Sequence, residues 1–556
     1  MALTLSVKIS GLERAQEANV RAFLSIEQER THAGLTASRV RLLHERAEEE
    51  IRQALQPYGY FEPLIEPQLS EYEDYTEAVY DIDPGPQTVL ETVDFRVSGE
   101  GGNERPLSAP FPLAEGDGLD LVVYEQAKAS RLSRALELGY LDAYYREHQV
   151  RVEKQRQRAT IRLHLETGQR FRFGEIRLQQ DILDAEFLAR YLSFGSGDPY
   201  SHEKLLDLQS KLLSSDYFKR VEINTRRDQI EGDRIPVDVV LTPNRKNRYR
   251  IGLGYSTDTG PRLTLDWTRR RFGRQGHRMR SELRVSKPES SLTSEYIIPL
   301  QRPTQDYVSF GATINDFDTE SSEGTRTLLN ASHSVGLERG WRRTLSLDYL
   351  FENFTVGAQD DNARLLVPGV TWARIKGNSR QYIRKGKSLE FHIEGAADDL
   401  LSTASYLQFY TTNKFIHGLN EDWRLLARLD LGATLVDSVL ELPPSKRFYT
   451  GGDNTIRGFS FEELGPRDEQ GEVVGGRYLA VGSLEIERRL GGGWSMALFA
   501  DGGNAYDPDF ESEPAYGTGL GIRWHSPVGP VRLDLARGDY LGEQEWRVHL
   551  VVGPEL

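Results

Sequence analysis

Arg428-Leu429-Asp430-Leu431-Gly432-Ala433-Thr434-Leu435 alternates without a break. In an extended chain Leu429, Leu431, Ala433 and Leu435 fall on one side, and Arg428, Asp430, Gly432 and Thr434 on the other. The same two-sided pattern returns at Leu263, Leu265 and Trp267, at Val308, Phe310, Ala312 and Ile314, and at Leu345, Leu347, Tyr349 and Phe351. Leu389, Phe391 and Ile393 repeat it against Glu390, His392 and Glu394. About sixteen such runs fill the chain from Arg248 onward. Their polar side carries charges that a sandwich core would reject. An open soluble sheet of this size would leave long unpaired edges. The pattern predicts an all-β, 16-stranded transmembrane β-barrel over 246–556, its apolar side toward lipid and its charged side toward a wet lumen.

Residues before 246 have another texture, repeating with a period of about 80 residues. Helical Arg39 to Leu55 leads into Tyr58-Gly59-Tyr60-Phe61, and Leu121 to Leu138 leads into Leu138-Gly139-Tyr140-Leu141. Glu203 to Leu213 leads into Ser215-Asp216-Tyr217-Phe218. Alternating strands follow, as in Ala159 to Leu165 and Val237 to Leu241. Helix, turn and hairpin predict three small α+β modules, at 1–86, 87–168 and 169–245.

The net charge of −15 argues against a nucleic-acid partner. The chain has no cysteine, which excludes disulfides and thiolate metal sites and fits passage through an oxidising compartment. No apolar run is long enough for a spanning helix, and residues 1–10 do not read as a signal peptide, so a mature form is expected. Catalytic motifs fail on inspection. Gly-x-Ser-x-Gly and His-Glu-x-x-His are absent, and Gly386-Lys387-Ser388 lacks the first glycine of a phosphate-binding loop because Gln381 stands there. The expectation is no enzyme, no cofactor and no metal.

One long segment, about 437–474, does not alternate, and it holds Arg447-Phe448-Tyr449-Thr450-Gly451-Gly452-Asp453-Asn454-Thr455-Ile456-Arg457-Gly458-Phe459. Ile456 and Phe459 favour burial and would carry Arg457 inward, where a guanidinium requires carboxylates. If Leu484 and Ile486 face lipid, Glu485 and Glu487 face the lumen. If Met496, Leu498 and Ala500 face lipid, then Phe499, Asp501 and Gly503 line the lumen. A loop folded back into the barrel would bring Arg457 to Glu485 and Asp501, with Phe499 as an apolar wall, Gly503 leaving room, and Glu487 in reserve. The spacing equally allows a solvated Arg457 and an ordinary Asp501-Gly502-Gly503-Asn504 turn.

The three modules and the C-terminal half together resemble the BamA/TamA outer-membrane assembly superfamily. Ile456-Arg457-Gly458-Phe459 is similar to that family's lumen-loop motif, Phe499-x-Asp501-x-Gly503 to its strand motif, and the run from Gly519 to Asp534 to its C-terminal pattern. The resemblance makes the modules polypeptide-transport-associated (POTRA) domains, and their number points to the TamA branch, the translocation and assembly module.

The resemblance implies a bacterial outer-membrane factor with its POTRA modules in the periplasm. Such a factor inserts or exports β-rich outer-membrane proteins, autotransporters among them, through a lateral seam between the first and last barrel strands. The seam residues so implied are Gly252 and Gly254 on the first strand, and Trp546, Val548, Leu550 and Pro554 at the last. Implied partners are unfolded outer-membrane clients, outer-membrane lipid, and a TamB-like inner-membrane-anchored periplasmic protein docked on the modules. A porin, a two-partner-secretion-type transporter and, behind them, a barrel hydrolase are the alternatives.

Overall fold

The computed structural model describes residues 4–32, 34–72, 75–377, 382–508, 512–526 and 529–552. Three three-stranded sheets precede the barrel. The first pairs β1 (Thr4–Ser10), β2 (Leu64–Glu71) and β3 (Tyr75–Asp83) in the order β1-β3-β2. The second pairs β4 (Val89–Ser98), β5 (Tyr144–Glu153) and β6 (Arg158–Glu166) in the order β4-β6-β5. The third pairs β7 (Arg172–Gln179), β8 (Phe218–Thr225) and β9 (Arg234–Pro243) in the order β7-β9-β8.

In the first sheet's module, helix Ala37–Leu55 starts where the Thr36 side chain accepts from the Arg39 N–H. Its Val40, Leu43, Ala47, Ile51 and Ala54 recur at helical spacing and are buried with Ala78, Tyr80 and Ile82 of β3. The recurring turn after each such helix has a physical cause. Gly59 and Gly139 adopt φ of +83° and +99°, and a Cβ there would sit 2.2 Å from Leu119 O and 2.8 Å from Tyr200 O. In the third copy Asp216 takes the left-handed position, φ 64°.

Sixteen strands form a closed barrel in sequence order. They are β10 (Asn247–Ser256), β11 (Gly260–Phe272), β12 (His277–Val285), β13 (Glu289–Pro299), β14 (Asp306–Asp318), β15 (Glu323–Gly336), β16 (Trp341–Val356) and β17 (Gln359–Gly377). There follow β18 (Lys385–Ala396), β19 (Tyr406–Gly418), β20 (Trp423–Leu435), β21 (Tyr478–Gly491), β22 (Trp494–Tyr506), β23 (Ala515–Ser526), β24 (Gly529–Tyr540) and β25 (Glu543–Val552). Outward residues such as Leu347, Leu484, Leu498 and Leu520 are exposed, whereas inward Glu352, Glu487, Asp501 and Asp534 are buried. No helix among the described residues is long and apolar enough to cross a membrane. The chain divides into two compact units, and segments Leu178–Leu192 and Ser210–Val221 belong with the barrel. Accordingly Asp184 pairs with Arg274 and Asp216 with Arg270, at 2.9 and 2.8 Å.

Candidate functional site: lumen loop and strand seam

The segment between β20 and β21 folds into a compact body. Two short 3-10 turns, Val439–Glu441 and Pro444–Lys446, are followed by bridges from Phe448 to Gly476 and from Thr450 to Leu464. Ile456, Phe459, Phe448 and Leu464 are buried in one cluster with Leu479 and Val481 of β21, Ala505 of β22 and Ala515 of β23. The loop therefore has an apolar footing on the inner wall, and this footing carries Arg457 inside.

Arg457 is 7% exposed and fully engaged. Its Nε and Nη2 donate to the two oxygens of Asp501 at 2.8 and 2.9 Å, a bidentate fork. Nη1 donates to Glu485 Oε2 at 2.8 Å and to Asp534 Oδ2 at 3.4 Å. The guanidinium lies 3.4 Å from the centroid of the Phe499 ring, a cation–π floor. Both oxygens of Glu485 also accept from Arg523 Nη2 at 3.1 Å, and Arg523 reaches Asp534 as well. Ser483 Oγ donates to Asp501 Oδ1 at 2.6 Å. The result is a buried network of two arginines and three carboxylates.

Sequence reasoning missed Arg523 and Asp534 as members. Their signal was present, since Arg523 and Asp534 share the lumen phase of β23 and β24, and Gly521 stands directly opposite Asp534. Glu487 is not a reserve partner, because Arg424 Nε holds it at 2.9 Å. Gly503 also plays a different part. A Cβ there would meet Ala480 O of the adjacent strand at 2.0 Å, so its space is taken by the wall and not by the loop. The loop backbone comes closest at Gly517, where a Cβ would lie 2.0 Å from Arg457 O, and at Gly538, 2.9 Å from Gly458 O.

The seam is short. Among the described residues, β10 and β25 pair through Tyr255 with Val552 and Ser256 with Val551, whereas β10 registers ten residues on β11 and β25 ten on β24. Gly252 pairs with Thr264 and has no partner among the described residues of β25; a Cβ on Gly254 would touch Val552 O at 3.0 Å. Trp546, Val548 and Leu550 pair with Arg537, Leu535 and Leu533 of β24, and Leu550 O alone also accepts from the Thr257 N–H, at 3.0 Å. The described pairs lie just beyond the two glycines. Pro554 lies outside the described residues.

The loop also grips this seam. Asp453 accepts from Ser256 Oγ, from Thr257 Oγ1 at 3.0 Å and from His549 Nδ1 at 2.6 Å. The other ring nitrogen of His549, Nε2, accepts from the Gly458 N–H at 2.8 Å. Both partners together define the neutral tautomer with its proton on Nδ1. Asp258, Asp453 and His549 stand near enough to hold an ion, but both nitrogens of His549 and both oxygens of Asp453 already have hydrogen-bond partners.

A sixteen-stranded barrel with this seam and a buried Arg457 network is matched over residues 245–555 by the model of the Omp85 superfamily domain. The chain belongs to the Omp85 superfamily. Residues 6–84 match the model of TamA POTRA domain 1. This Omp85 chain is therefore an outer-membrane barrel with N-terminal POTRA domains in the periplasm. Outer membrane protein assembly factor BamA of Nitratidesulfovibrio vulgaris is 24% identical, over 95% of this chain and 69% of that protein. BamA of Neisseria meningitidis is 22% identical, over 67% of this chain and 55% of that protein. Among solved structures, Haemophilus ducreyi BamA lacking POTRA domains 1–3 superposes with a TM-score of 0.68 at 16% identity, covering 83% of this chain and 99% of that one. That likeness concerns the fold.

Proposed function

We propose that this Omp85 protein is an outer-membrane assembly and translocation factor that inserts or exports β-rich clients, autotransporters among them, through the β10–β25 seam. The observation that carries the reading is the seam itself, where β10 and β25 share two residue pairs among the described residues. Among the described residues, β25 before Leu550 has no ladder partner on β10 and offers one backbone edge as a template for an added strand. On β10 the exposed Tyr249, Ile251 and Leu253 offer the side chains of a lipid-facing strand beside that edge. The TamA branch is favoured by the POTRA match at 6–84 and by three sheets before the barrel. In that branch the modules receive a TamB-like periplasm-spanning partner.

The cysteine-free chain allows a direct test. Tyr255→Cys combined with Val552→Cys places two thiols at directly opposed positions. Oxidation should stop client assembly, and reduction should restore it. Full assembly by a confirmed crosslinked form would refute lateral opening.

A further inference from the structure

Two hairpins of this acidic chain are strongly basic. Arg269 to Arg280 holds six arginines and no acid, and Arg374 to Lys387 holds six cations and no acid. Three arginines of the first hairpin find carboxylates, whereas among the described residues Arg374, Lys376 and Lys387 of the second do not. Arg270 pairs with Asp216, Arg274 with Asp184, and Arg280 with Asp266 and Glu282. Among the described residues, Arg343, Arg374, Lys376 and Lys387 make no ion pair, and buried Nε atoms of Arg343 and Arg374 have no hydrogen-bond partner.

These four cations share the lipid-facing phase. Leu350, Leu365 and Val367 are buried on the lumen side with Leu442 of the loop, and Leu345 and Leu347 are exposed on the other. Register then puts Arg343 opposite Trp372, Trp341 opposite Arg374, and Lys376 opposite Lys387, all on the outward side. Two lysines directly opposite each other repel, and no carboxylate among the described residues pairs with either. Arg374 lies 5.7 Å from the Trp341 ring centroid, and that ring is 6.1 Å from Phe391.

Depth in the membrane is marked by tryptophan. Trp267, Trp341, Trp372, Trp423, Trp494 and Trp524 all face outward toward the barrel end at which β10 begins. That end follows the periplasmic modules, so this girdle is the periplasmic membrane–water interface. Arg374, Lys376 and Lys387 lie at and just beyond it, the depth of phosphate headgroups.

We propose that the outward face of β16–β18 at the periplasmic rim is a binding site for anionic phospholipid headgroups of the inner leaflet. Arg343 and Arg374 supply planar forks for phosphate, Lys376 and Lys387 supply point charges, and Trp341 and Trp372 floor the acyl–headgroup boundary. A headgroup phosphate between Lys376 and Lys387 removes their mutual repulsion. An acidic protein would need to present its charge at the lipid interface beside Trp372, which favours lipid as the occupant.

The test uses the full chain in bilayers of equimolar phosphatidylglycerol and phosphatidylcholine, with lipid retained on the protein read by native mass spectrometry. The wild type should retain phosphatidylglycerol in excess. Arg374→Gln, Lys376→Gln and Lys387→Gln should each lower the excess by about fivefold, the effect of one interfacial charge. Arg488→Gln, which lies over Trp423 in another sector, should leave most of it. Lys376 is exposed, so its single variant keeps the test independent of folding, and heat-modifiable gel mobility checks the others. An unchanged excess in the triple variant overturns the proposal and leaves an acidic protein as the ligand. Displacement of the lipid by equimolar inorganic phosphate overturns it in favour of a free-phosphate site.

Discussion

Asp453 of the lumen loop accepts a hydrogen bond from His549 Nδ1 of the last strand at 2.6 Å, with both side chains almost wholly buried. The same carboxylate holds Ser256 and Thr257 at the end of the first strand. One loop residue thus spans both sides of a seam where the described strand residues share two pairs. Opening the seam and moving the loop are therefore mechanically linked.

Replacing His549 by Phe removes the bond to Asp453 and the acceptor for Gly458 N–H. Loss of a buried charge-assisted bond costs about 2 kcal/mol. Hydrogen exchange in loop peptides around Gly458 should accelerate, and crosslinking at Tyr255/Val552 should change rate. Wild-type exchange in the variant would mean that the clasp contributes nothing.

Arg457→Ala leaves Glu485 and Asp534 facing Arg523 alone and strips Asp501 of its cation. Removing one partner from a buried ionic network costs roughly 3–5 kcal/mol, less where lumen water enters. The temperature of the heat-modifiable gel shift should fall. Arg457→Lys should recover only part of the loss, because an ammonium cannot reproduce the fork on Asp501. Equal midpoints for Ala, Lys and wild type would refute the network's role as a brace.

Gly517→Ala sets a Cβ against Arg457 O at 2.0 Å, so the loop must lift from the wall. Overpacking of this kind costs about 1–3 kcal/mol. Gly482→Ala on β21 meets nothing within 4 Å and serves as the control. The first should destabilise and loosen the loop in limited proteolysis, the second should not. A neutral Gly517→Ala would show that the loop does not depend on that close approach.

His44 lies against Tyr80 in the first module, its Nδ1 2.9 Å from the Tyr80 hydroxyl. Burial holds its imidazole below the usual 6.5, while Glu48 and Glu45 pull weakly upward. The unfolded ring therefore protonates first as pH falls. The stability from keeping His44 neutral is complete above about pH 6.5 and is lost as pH drops below it. Hydrogen exchange of helix Ala37–Leu55, corrected for intrinsic rate, should show this loss in the wild type and less of it in His44→Gln. Identical pH profiles would remove His44 as the cause.

Much of the barrel was legible because strand burial is a period-two property, and the phase of Leu484 and Ile486 is enough to turn Glu485 inward. The same logic placed Asp501 and Phe499 on the lumen side. It stopped at partner choice. Glu485 and Glu487 share one phase, yet Arg457 meets only the first, because Arg424 on the neighbouring strand already holds the second. Phase likewise could not distinguish Gly503, filled by Ala480 of the next strand, from Gly517, filled by the loop.

Local pattern alone therefore settled the alternation of Arg428–Leu435 and its relatives, a closed lipid-facing sheet, tandem modules and a buried arginine in search of carboxylates. Those follow from side-chain periodicity and the cost of an unpaired charge, both properties of neighbours along the chain. The seam register, the recruitment of Arg523 and Asp534, and the contact of Asp453 with His549 across ninety-six positions depended on the folded chain. They rest on which strand edges meet on closure and where a long loop comes down, and no short window of sequence encodes either.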